Sequence, residues 1–450
     1  MTAARADGGY ARRRDQLLAV VRASAGDTLG LRKDTSNLFR DPRRTTARRL
    51  DVRGFNHVLG VDAAAKWIEA EGMTPYEDLV AATLPHGVMP PVVPQLKSIT
   101  LGGAVAGVGI EASSFRYGLV HESVIEMDVM TGGGRVLTCR RDNEHSDLFF
   151  GFPNSYGTLG YALKLRIAAV AALGFVELRH RRFTDAEACF AALDEQCRGS
   201  ADFVDGVAFG PGELYLTTGR FVPSAPYVSD YTFEHIYFRS IRQREVDYLT
   251  TQDFLWRWDT DWFWCSKNVG AQVPWIRRLY GRKRLGSRTY QRLMRWSSRW
   301  GVGAALDRLR GGHAESVIQD VDIPIARAAA FLDGFQREIG IAPVWMCPLI
   351  GTESADRFAL YPLAPRTLFV NFGFWDVVRR PTRFEPHHFN RMVEARVAEL
   401  GGIKSLYSES FFDRAAFDRI YGGDAYRALK RKYDPQGNFP ELYDKCVSPA

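Results

Sequence analysis

LGGAVAGVGIEASSFRYG, residues 101–118, places five glycines, two serines and one carboxylate in eighteen positions. Within it Gly107, Gly109 and Ala112 form the pattern G-x-G-x-x-A, and the acids of VIEMDVM (124–130) follow about 20 residues later. This spacing is typical of a dinucleotide-binding βαβ unit, in which the glycines open a helix onto a diphosphate and the acid binds a ribose. The stretch therefore indicates either a Rossmann unit or a glycine loop that approaches another phosphate-containing ligand.

The residues after the glycines disfavour the Rossmann interpretation. Ser113, Ser114 and Gly118 are a poor start for the long helix that such a unit needs. SVIEMDVMTGGGRVLTC (123–139) predicts a β-hairpin with the glycine turn 132–134, which puts both acids in a strand. Clustered backbone N–H groups can still bind phosphate where glycine allows close approach. The loop suits a flavin dinucleotide as well as a nicotinamide one, with a tight packing turn as the structural alternative.

The composition is that of an ordinary globular protein of 450 residues, 46% hydrophobic and 25% charged. This length allows about two to four domains. The longest apolar run, AAVAALGFV (168–176), is too short to cross a bilayer, and the N-terminus has no signal-peptide pattern. Six scattered cysteines without a C-x-x-C pair fit a reducing cytoplasm and argue against a disulfide framework. No metal site is expected.

The net charge of +7 is concentrated between Pro274 and Arg310, where there are eleven Lys or Arg residues and one acid. The same stretch carries five aromatic residues: Trp275, Tyr280, Tyr290, Trp296 and Trp300. Such a surface predicts contact with an anionic membrane, because the rings lie at headgroup depth while Arg meets phosphate. Nucleic acid could use the same charges, but we expect no nucleic acid partner. A solvated pair of basic helices is the structural alternative.

Patterns along the chain predict an α+β protein in four parts. An Arg-rich helical lead-in (1–26) precedes a region of short strands and turns (27–172). Residues 173–405 contain VELRHRRF, ADFVDGVAFGPGELYLTTGRFV, APVWMCPLI and TLFVNFGFWDVV, which we interpret as strands of one sheet. A basic, Trp-rich helical insert (241–312) interrupts them. The C-terminal segment, 406–450, is expected to return toward the first region.

Two blocks, SITLGGAVAGVGIEASSFRYGLVHES (98–123) and EHSDLFFGFPNSYGTLGYALKLRI (144–167), resemble the flavin-binding core of the vanillyl-alcohol-oxidase/PCMH superfamily. More narrowly, they resemble its Δ24-sterol reductase (seladin-1) branch. The likeness continues in the same order through YLTTQDFLWRWDTDWFW, ESVIQDVDIP, PVWMCPLI, KSLYSESFF and NFPELYDKC. It implies an α+β fold: a two-subdomain PCMH-type FAD-binding domain and an α+β substrate (cap) domain over the flavin ring.

The resemblance also implies which residues contact FAD. The positions carried over are Thr100, Gly102, Gly103, Gly107 and Gly109 at the diphosphate, Ser113, Ser114 and Gly118 at the ribityl chain and ring, and Gly157, Thr158 and Gly160 on the far side of the ring. The first loop usual in the family, R-G-x-G-H-S, is missing here. LRKDTSNLFR (31–40) takes its place, and its Thr35, Ser36 and Asn37 are expected to donate hydrogen bonds. Because this loop has no histidine, FAD is expected to bind non-covalently.

The branch implies reduction of an isolated C=C bond in a lipid, with FAD as cofactor and NADPH as a transient hydride donor. An isolated alkene is not polarised, so protonating one of its carbons needs a strong acid and nearby aromatic or anionic groups. Each candidate also has a structural alternative such as capping, ion pairing or packing. The candidate catalytic residues are Glu111, Gln319, Asp320, Tyr407 and Glu409.

The Arg- and Ala-rich composition is typical of GC-rich bacteria, in which sterol synthesis is uncommon. A related actinobacterial activity reduces the methylene branch of a phospholipid-bound acyl chain and completes a 10-methyl fatty acid. We expect this reaction at the inner face of the membrane by a peripheral cytoplasmic protein, with a methyltransferase of the same pathway as a partner. The alternatives are a Δ24-sterol-type reductase, an FAD-dependent alcohol or sugar oxidase or dehydrogenase, and a non-enzymatic membrane- or nucleic-acid-binding protein.

Overall fold

The computed structural model describes residues 3–24, 26–34, 39–40, 47–299 and 313–448. The strands are β1 Leu29–Arg32, β2 Arg48–Asp51, β3 Val58–Asp62, β4 Trp67–Glu71, β5 Val88–Met89, β6 Val124–Met130, β7 Val136–Arg140, β8 Tyr161–Ala168, β9 Val170–Ala171, β10 Phe175–Phe183, β11 Phe203–Gly210, β12 Glu213–Val222, β13 Val246–Thr250, β14 His313–Pro324, β15 Val344–Ile350, β16 Leu368–Arg380 and β17 Ile403–Lys404. The α-helices are α1 Ala3–Arg22, α2 Tyr76–Thr83, α3 Leu101–Ala106, α4 Ser114–Tyr117, α5 Ser146–Gly151, α6 Ala186–Arg198, α7 Tyr237–Ser240, α8 Thr251–Leu255, α9 Pro274–Tyr280, α10 Ser287–Arg299, α11 Ile325–Glu338, α12 His388–Glu399, α13 Arg414–Ile420, α14 Gly423–Tyr433 and α15 Leu442–Cys446.

The first large sheet is antiparallel and has the strand order β3-β4-β8-β6-β7. The predicted hairpin is confirmed: β6 and β7 pair from Glu126↔Arg140 to Met130↔Val136 around the glycine turn. The helix in the glycine-rich stretch, α3, has only six residues, as the serines and Gly118 that follow it indicate. Its buried Leu101 and Val105 share a core with the strands. This sheet thus fixes one side of the glycine loop.

The N-terminal helix covers a small parallel sheet. Strands β1 and β2 pair in parallel, and α1 shares a core with them through Leu17, Leu50 and Phe55. The predicted helical lead-in is therefore confirmed over Ala3–Arg22. Within the described ranges, no helix combines the length and the apolar character that crossing a membrane requires.

The second large sheet has eight antiparallel strands in the order β13-β10-β12-β11-β15-β16-β14-β17. All four segments that the sequence analysis assigned to one sheet lie in it, as β10, β11 with β12, β15 and β16. Helices α6, α11 and α12 share a core with it through residues such as Phe190, Leu332 and Val393. Two antiparallel sheets with helices packed against them confirm the α+β class.

The insert 241–312 differs from the helical prediction at its start. Val246–Thr250 forms the edge strand β13, paired with β10, because VDYLT alternates buried and half-buried residues with the period of a strand. Helices α8, α9 and α10 follow. Residues 300–312, including Trp300, and the side chain of Trp296 lie outside the described part of the structure.

The C-terminal helices contact the region of the first sheet. Lys430 Nζ donates a hydrogen bond to the Thr158 carbonyl oxygen at 2.9 Å. Asn438 Nδ2 donates to Gly132 O at 2.8 Å. Helices α12, α13 and α14 lie between residues 384 and 433. The domain limits at residues 26, 172 and 405 stay predictions.

Candidate functional site

A cavity of about 1040 Å³ lies between the glycine loop and the second sheet. This volume is at the upper end of the range for small-molecule sites, about 300–1,000 Å³. Residues 94–110 and 152–163 form one wall, and side chains of β14, β16 and the C-terminal segment form the other. Of the residues that the resemblance assigned to FAD, the cavity is lined by Thr100, Gly102, Gly103, Gly107, Gly109, Gly157 and Gly160.

The glycines in α3 and directly after it serve two different purposes. A Cβ atom on Gly102 would lie 2.9 Å from the carbonyl oxygen of Gly72, and one on Gly107 would lie 2.9 Å from that of Gly103. Both positions therefore need glycine for packing. A Cβ on Gly103 would approach only the Thr100 side chain, with Oγ1 at 2.8 Å, and Gly103 is exposed to the cavity. The missing side chain at Gly103 leaves space for a ligand.

Unusual backbone conformations surround the cavity. Val108 in the glycine loop has φ 50°, Tyr156 has φ 48°, and the neighbours Trp262 and Phe263 have φ 44° and 59°. All four line the cavity. Residues with side chains rarely adopt positive φ, and such strain is concentrated at ligand-binding and catalytic sites. The conformations thus mark this cavity as the candidate functional site.

Basic groups gather at one part of the cavity, which Lys33, Arg40, Arg49 and Lys445 line. Lys445 Nζ donates to the Tyr156 carbonyl oxygen at 2.6 Å, and the Arg40 guanidinium lies 4.6 Å from the centre of the Tyr156 ring. Burial, and next the Arg40 charge, lower the pKa of Lys445 to about 7. The open face at Gly103 and these cations fit the diphosphate of FAD. Thr35, Ser36 and Asn37, predicted as donors to FAD, lie outside the described residues.

The opposite wall carries a carboxyl group, Asp320 on β14. Its pKa is raised well above the usual value by burial and by the neighbouring Asp322, although the Tyr407 hydroxyl opposes the shift. Asp320 Oδ1 has no hydrogen-bond partner among the residues that the structure describes. The register partner across the sheet is Gly373, where a Cβ would lie 2.6 Å from that oxygen. Asp320 is therefore a carboxyl group that lines the cavity and that burial and Asp322 favour in its protonated form.

Asp322, two residues further along β14, is held by a hydrogen-bond network. Asn371 Nδ2 and the Tyr361 hydroxyl each donate to its carboxylate at 2.7 Å. Burial raises the pKa of Asp322 to about 6, although both donors lower it. All three residues line the cavity. Asp322 thus adds negative charge near Asp320 and helps to raise the pKa of that carboxyl group.

Aromatic rings make up much of the remaining wall around Asp320. Trp375 Nε1 donates to the Tyr407 hydroxyl at 2.8 Å. Phe39 stacks on Trp262 with ring centres 5.6 Å apart, and Phe263 lies 4.6 Å from Trp375. The rings make the surroundings of the acid largely apolar, and aromatic faces can stabilise positive charge that develops beside them.

Glu111, a predicted catalytic acid, lies outside the cavity wall. Arg257 Nη1 is 2.8 Å from Glu111 Oε1, and Arg257 Nη2 is 2.8 Å from Asp205 Oδ2. Burial raises the pKa of Glu111, and Arg257 opposes the shift. Glu111 Oε2 also accepts from the Ala112 N–H at 2.8 Å. The structure therefore places Glu111 in a buried ion-pair network outside the cavity wall, and a catalytic role for it stays a prediction.

Gln319 and Glu409, also predicted as catalytic, are not brought to Asp320. Gln319 Nε2 donates to Asn390 Oδ1 at 2.8 Å, because its side chain leaves β14 on the face opposite that of Asp320. Glu409 lines a second cavity of about 360 Å³, which shares Phe39 with the first. Of the five candidates, the main cavity thus contains Asp320 and Tyr407.

Four residues assigned to the flavin by resemblance also lie outside the cavity wall. Ser113 Oγ donates to the Pro91 carbonyl oxygen at 2.7 Å, and Ser114 Oγ accepts from the Glu111 N–H at 3.1 Å. Thr158 Oγ1 donates to Ser155 O at 2.8 Å. Gly118 has φ 73°, and a Cβ there would collide with Glu122. These four residues stabilise turns. They do not line the cavity, so the structure provides no cavity contact that supports their assignment to the flavin.

Sequence analysis missed several residues of the cavity wall. The aromatic density of WRWDTDWFW (256–264) was a signal for Trp262 and Phe263. The acids at positions 320 and 322 were a signal for Asp322, since alternate residues share a strand face. Arg40 and Lys445 lie in two segments that the sequence analysis singled out, LRKDTSNLFR and NFPELYDKC, but no local signal indicated that these two side chains approach each other from opposite ends of the chain.

Comparisons with known proteins agree with this geometry. Residues 10–140 match the family model described as FAD binding domain. Human Delta(24)-sterol reductase is 27% identical over 408 residues, which cover 87% of this chain and 76% of the human protein. The Arabidopsis thaliana Delta(24)-sterol reductase is 23% identical over 456 residues, 90% of this chain and 77% of that protein. Cytokinin dehydrogenase 6 of rice is 38% identical over 127 residues, 28% of this chain and 23% of that protein.

The resemblance inferred from the sequence is thereby confirmed, as is the assignment of FAD as cofactor. The family match includes the glycine loop, and the similarity to the sterol reductases extends over both sheets. The chain carries a PCMH-type FAD-binding domain and is an FAD-dependent oxidoreductase similar over most of its length to the Δ24-sterol reductases.

Proposed function

We propose that this protein reduces an isolated C=C bond of a lipid with NADPH, and that its substrate is the methylene branch of a phospholipid-bound acyl chain. The observation that carries the proposal is the Asp320 carboxyl group, which lines the FAD-binding cavity among aromatic rings with its Oδ1 free of a hydrogen-bond partner among the described residues; its raised pKa favours the protonated form. An acid of this kind serves to protonate an unpolarised carbon. The relatives are named as reductases of a sterol Δ24 position, which agrees with reduction of an alkene.

The reaction adds one hydride and one proton across the double bond. Bound FAD, when reduced, supplies the hydride to one alkene carbon. Asp320 holds the proton at a carboxyl oxygen and donates it to the other carbon, which makes a C–H bond and leaves a carboxylate. Trp262, Phe263 and Trp375 exclude water and stabilise the positive charge that develops on the alkene. The product is a methyl branch.

The Asp320 carboxylate must regain a proton before the next turnover. Until then the Tyr407 hydroxyl stabilises the carboxylate, because its hydrogen bond lowers the pKa of Asp320. Trp375 fixes the orientation of that hydroxyl by donating to its oxygen at 2.8 Å. Burial and the Asp320 charge raise the pKa of Tyr407 well above its usual value, so we assign Tyr407 to stabilising the carboxylate and not to supplying its proton.

NADPH is proposed to use the same cavity at a different time from the lipid. In the described ranges, both large sheets are antiparallel and the parallel pairing of named strands is confined to β1 and β2. A separate βαβ unit for a nicotinamide dinucleotide would need parallel strands. Sequential occupation of one cavity explains how a chain with this topology accepts two redox partners.

A Δ24-type sterol is the second candidate substrate, and the similarity to sterol reductases over 87% of the chain favours it. The same acid and rings would serve that alkene. The match to cytokinin dehydrogenase 6 covers only 28% of the chain, so it adds little support for oxidation of an alcohol or a sugar. A methyltransferase stays an expected partner, because the methylene branch must come from addition of one carbon.

The test is a substrate panel under anaerobic conditions. Purified protein is reduced with NADPH, and flavin absorbance is followed after addition of a 10-methylene phospholipid, a Δ24 sterol or the saturated analogue of each. We expect reoxidation by the methylene lipid and a product heavier by two hydrogens in mass spectrometry. Reoxidation by the sterol alone would select the second candidate. In a separate aerobic assay, oxygen uptake with an alcohol, together with no alkene reduction in the anaerobic panel, would contradict both.

A further inference from the structure

Helix α9 presents apolar side chains to solvent. Trp275 is 65% exposed and Leu279 is 72% exposed, and Val273, which precedes the helix, is 40% exposed. Trp275 and Leu279 are four residues apart, so they lie on one face of the helix. Single exposed apolar residues are ordinary, but a Trp and a Leu side by side, both mostly exposed, form a patch that indicates an interaction surface.

The chain around this patch is basic. Residues 273–293 contain no Asp or Glu. Arg282 and Arg288 form ion pairs with Asp230 and Glu77. For Arg278, Lys283 and Arg284 the described residues provide no ion pair, and all three are exposed. Apolar side chains flanked by unneutralised cations match the interface of an anionic bilayer.

The patch is rigidly attached to the cavity wall. Arg277, on the opposite face of α9, is buried and places Nη1 2.7 Å and Nη2 2.9 Å from the two carboxylate oxygens of Asp261. Asp261 directly precedes Trp262, which lines the main cavity. The helix is thus fixed through its buried face, so the exposure of its other face reflects a folded arrangement.

Among the aromatic residues of the basic stretch, the structure narrows the candidates for membrane contact. Tyr290 is 1% exposed, with its hydroxyl donating to the Thr260 carbonyl oxygen, so it belongs to the core. Tyr280 is half-buried and donates to Val269 O. Trp275 is the aromatic residue with a described side chain that protrudes from this stretch.

We propose that Val273, Trp275 and Leu279, together with Arg278, Lys283 and Arg284, form the surface by which this protein binds an anionic phospholipid bilayer. We call these six residues the docking surface. Its purpose rests on the proposed function, since a phospholipid-bound substrate must be drawn from a membrane into the cavity beside Trp262. The binding itself does not depend on the reaction.

The test is sedimentation of the full-length FAD-bound protein with vesicles. The vesicles contain phosphatidylcholine alone or a mixture with phosphatidylglycerol. We expect binding to the mixed vesicles that weakens with salt. The double variant W275S/L279S should bind at least about tenfold more weakly, because two apolar side chains lose their burial. K283Q/R284Q should lose about fivefold for each charge.

The control is I125S/L173S, which removes two apolar side chains of 44% and 46% exposure outside the docking surface. It should bind as the wild type does. Equal binding by W275S/L279S and the wild type, or no preference for phosphatidylglycerol, would overturn the proposal. Turnover of detergent-solubilised substrate is measured in parallel. If W275S/L279S keeps that turnover but loses activity on vesicles, membrane binding and catalysis depend on different residues. If the wild type binds vesicles but shows no turnover, the proposed reaction is wrong and the docking surface is not.

Discussion

The two walls of the main cavity are built in opposite ways. The glycine-loop wall depends on missing side chains: Gly103 leaves the backbone of α3 open, and no charged side chain of α3 is involved. The β14–β16 wall depends on side chains, with Asp320 facing the cavity beside the aromatic ring of Trp375. In the proposed function, the first wall binds the diphosphate of FAD, a cofactor of many proteins, and the second wall acts on one kind of substrate. The proposal thus assigns cofactor binding and substrate specificity to opposite sides of one cavity.

The largest effect should come from a substitution in the β14–β16 wall. Asp320→Asn removes the proton donor while keeping the shape, so transfer of hydrogen to the alkene should slow by about 10²–10⁴-fold. Reduction of the flavin by NADPH should stay as in the wild type, because that step needs no proton from Asp320. Stopped-flow absorbance measures the two half-reactions separately. Equal slowing of both would place Asp320 in cofactor binding and break the contrast between the walls.

Glu111→Gln is the matched control for that experiment. It changes another buried acid with a raised pKa, but one that is paired with Arg257 away from the cavity. Breaking this pair should lower stability by about 3 kcal/mol, seen as a lower melting temperature. The alkene half-reaction per folded molecule should not change. Slow alkene reduction in this variant would restore Glu111 as a catalytic acid.

The same difference between the walls explains what could be predicted from the sequence. The glycine loop is a local pattern, since Thr100 to Gly109 are contiguous, and it indicated a dinucleotide before any fold was known. In the β14–β16 wall, the side chains that face the cavity depend on how the strand is placed in the sheet. Asp320 faces the cavity, whereas Gln319, one residue earlier, points to Asn390. Only the placement of β14 beside β16 decides which of these two neighbours faces the cavity.

The fold followed the same rule. Strands with clear apolar patterns, such as β10 and β16, were predicted correctly, and so was the hairpin of β6 and β7. Strand β13 was missed because five residues within a basic helical region gave too short a pattern. The ion pair of Glu111 with Arg257 joins residues 146 positions apart, and no local signal reports such a contact.

A smaller effect, on FAD affinity, is expected from a substitution in the glycine-loop wall. Gly103→Leu fills the open face of α3, so FAD affinity should fall about a hundredfold, equivalent to about 2.7 kcal/mol. The melting temperature of the FAD-free protein should not fall, because Leu is a better helix former than Gly and only the Thr100 side chain must move. Titration with FAD and thermal unfolding measure the two properties. Gly102→Ala is the contrast: its Cβ meets the Gly72 carbonyl oxygen, so it should lower stability.

The smallest expected effect is a dependence of FAD affinity on pH, which comes from the basic residues near the two ends of the chain. Lys445 has a pKa lowered to about 7 by burial and by Arg40, so its charge is complete below that pH and is lost above it. If this charge holds the FAD diphosphate, binding favours protonated Lys445, and affinity is greatest below pH 7. Above pH 7, each binding event must take up a proton, so the dissociation constant should rise by up to about tenfold per pH unit. Fluorescence titration with FAD between pH 6 and 8 measures this dissociation constant.

Lys445→Met should bind FAD more weakly at pH 6 and show a flat pH profile. Lys432→Met, which removes an exposed lysine paired with Asp147, should keep the wild-type slope. A flat wild-type profile would show that the Lys445 charge does not hold FAD. Binding on the glycine-loop wall would then depend on exposed backbone groups alone.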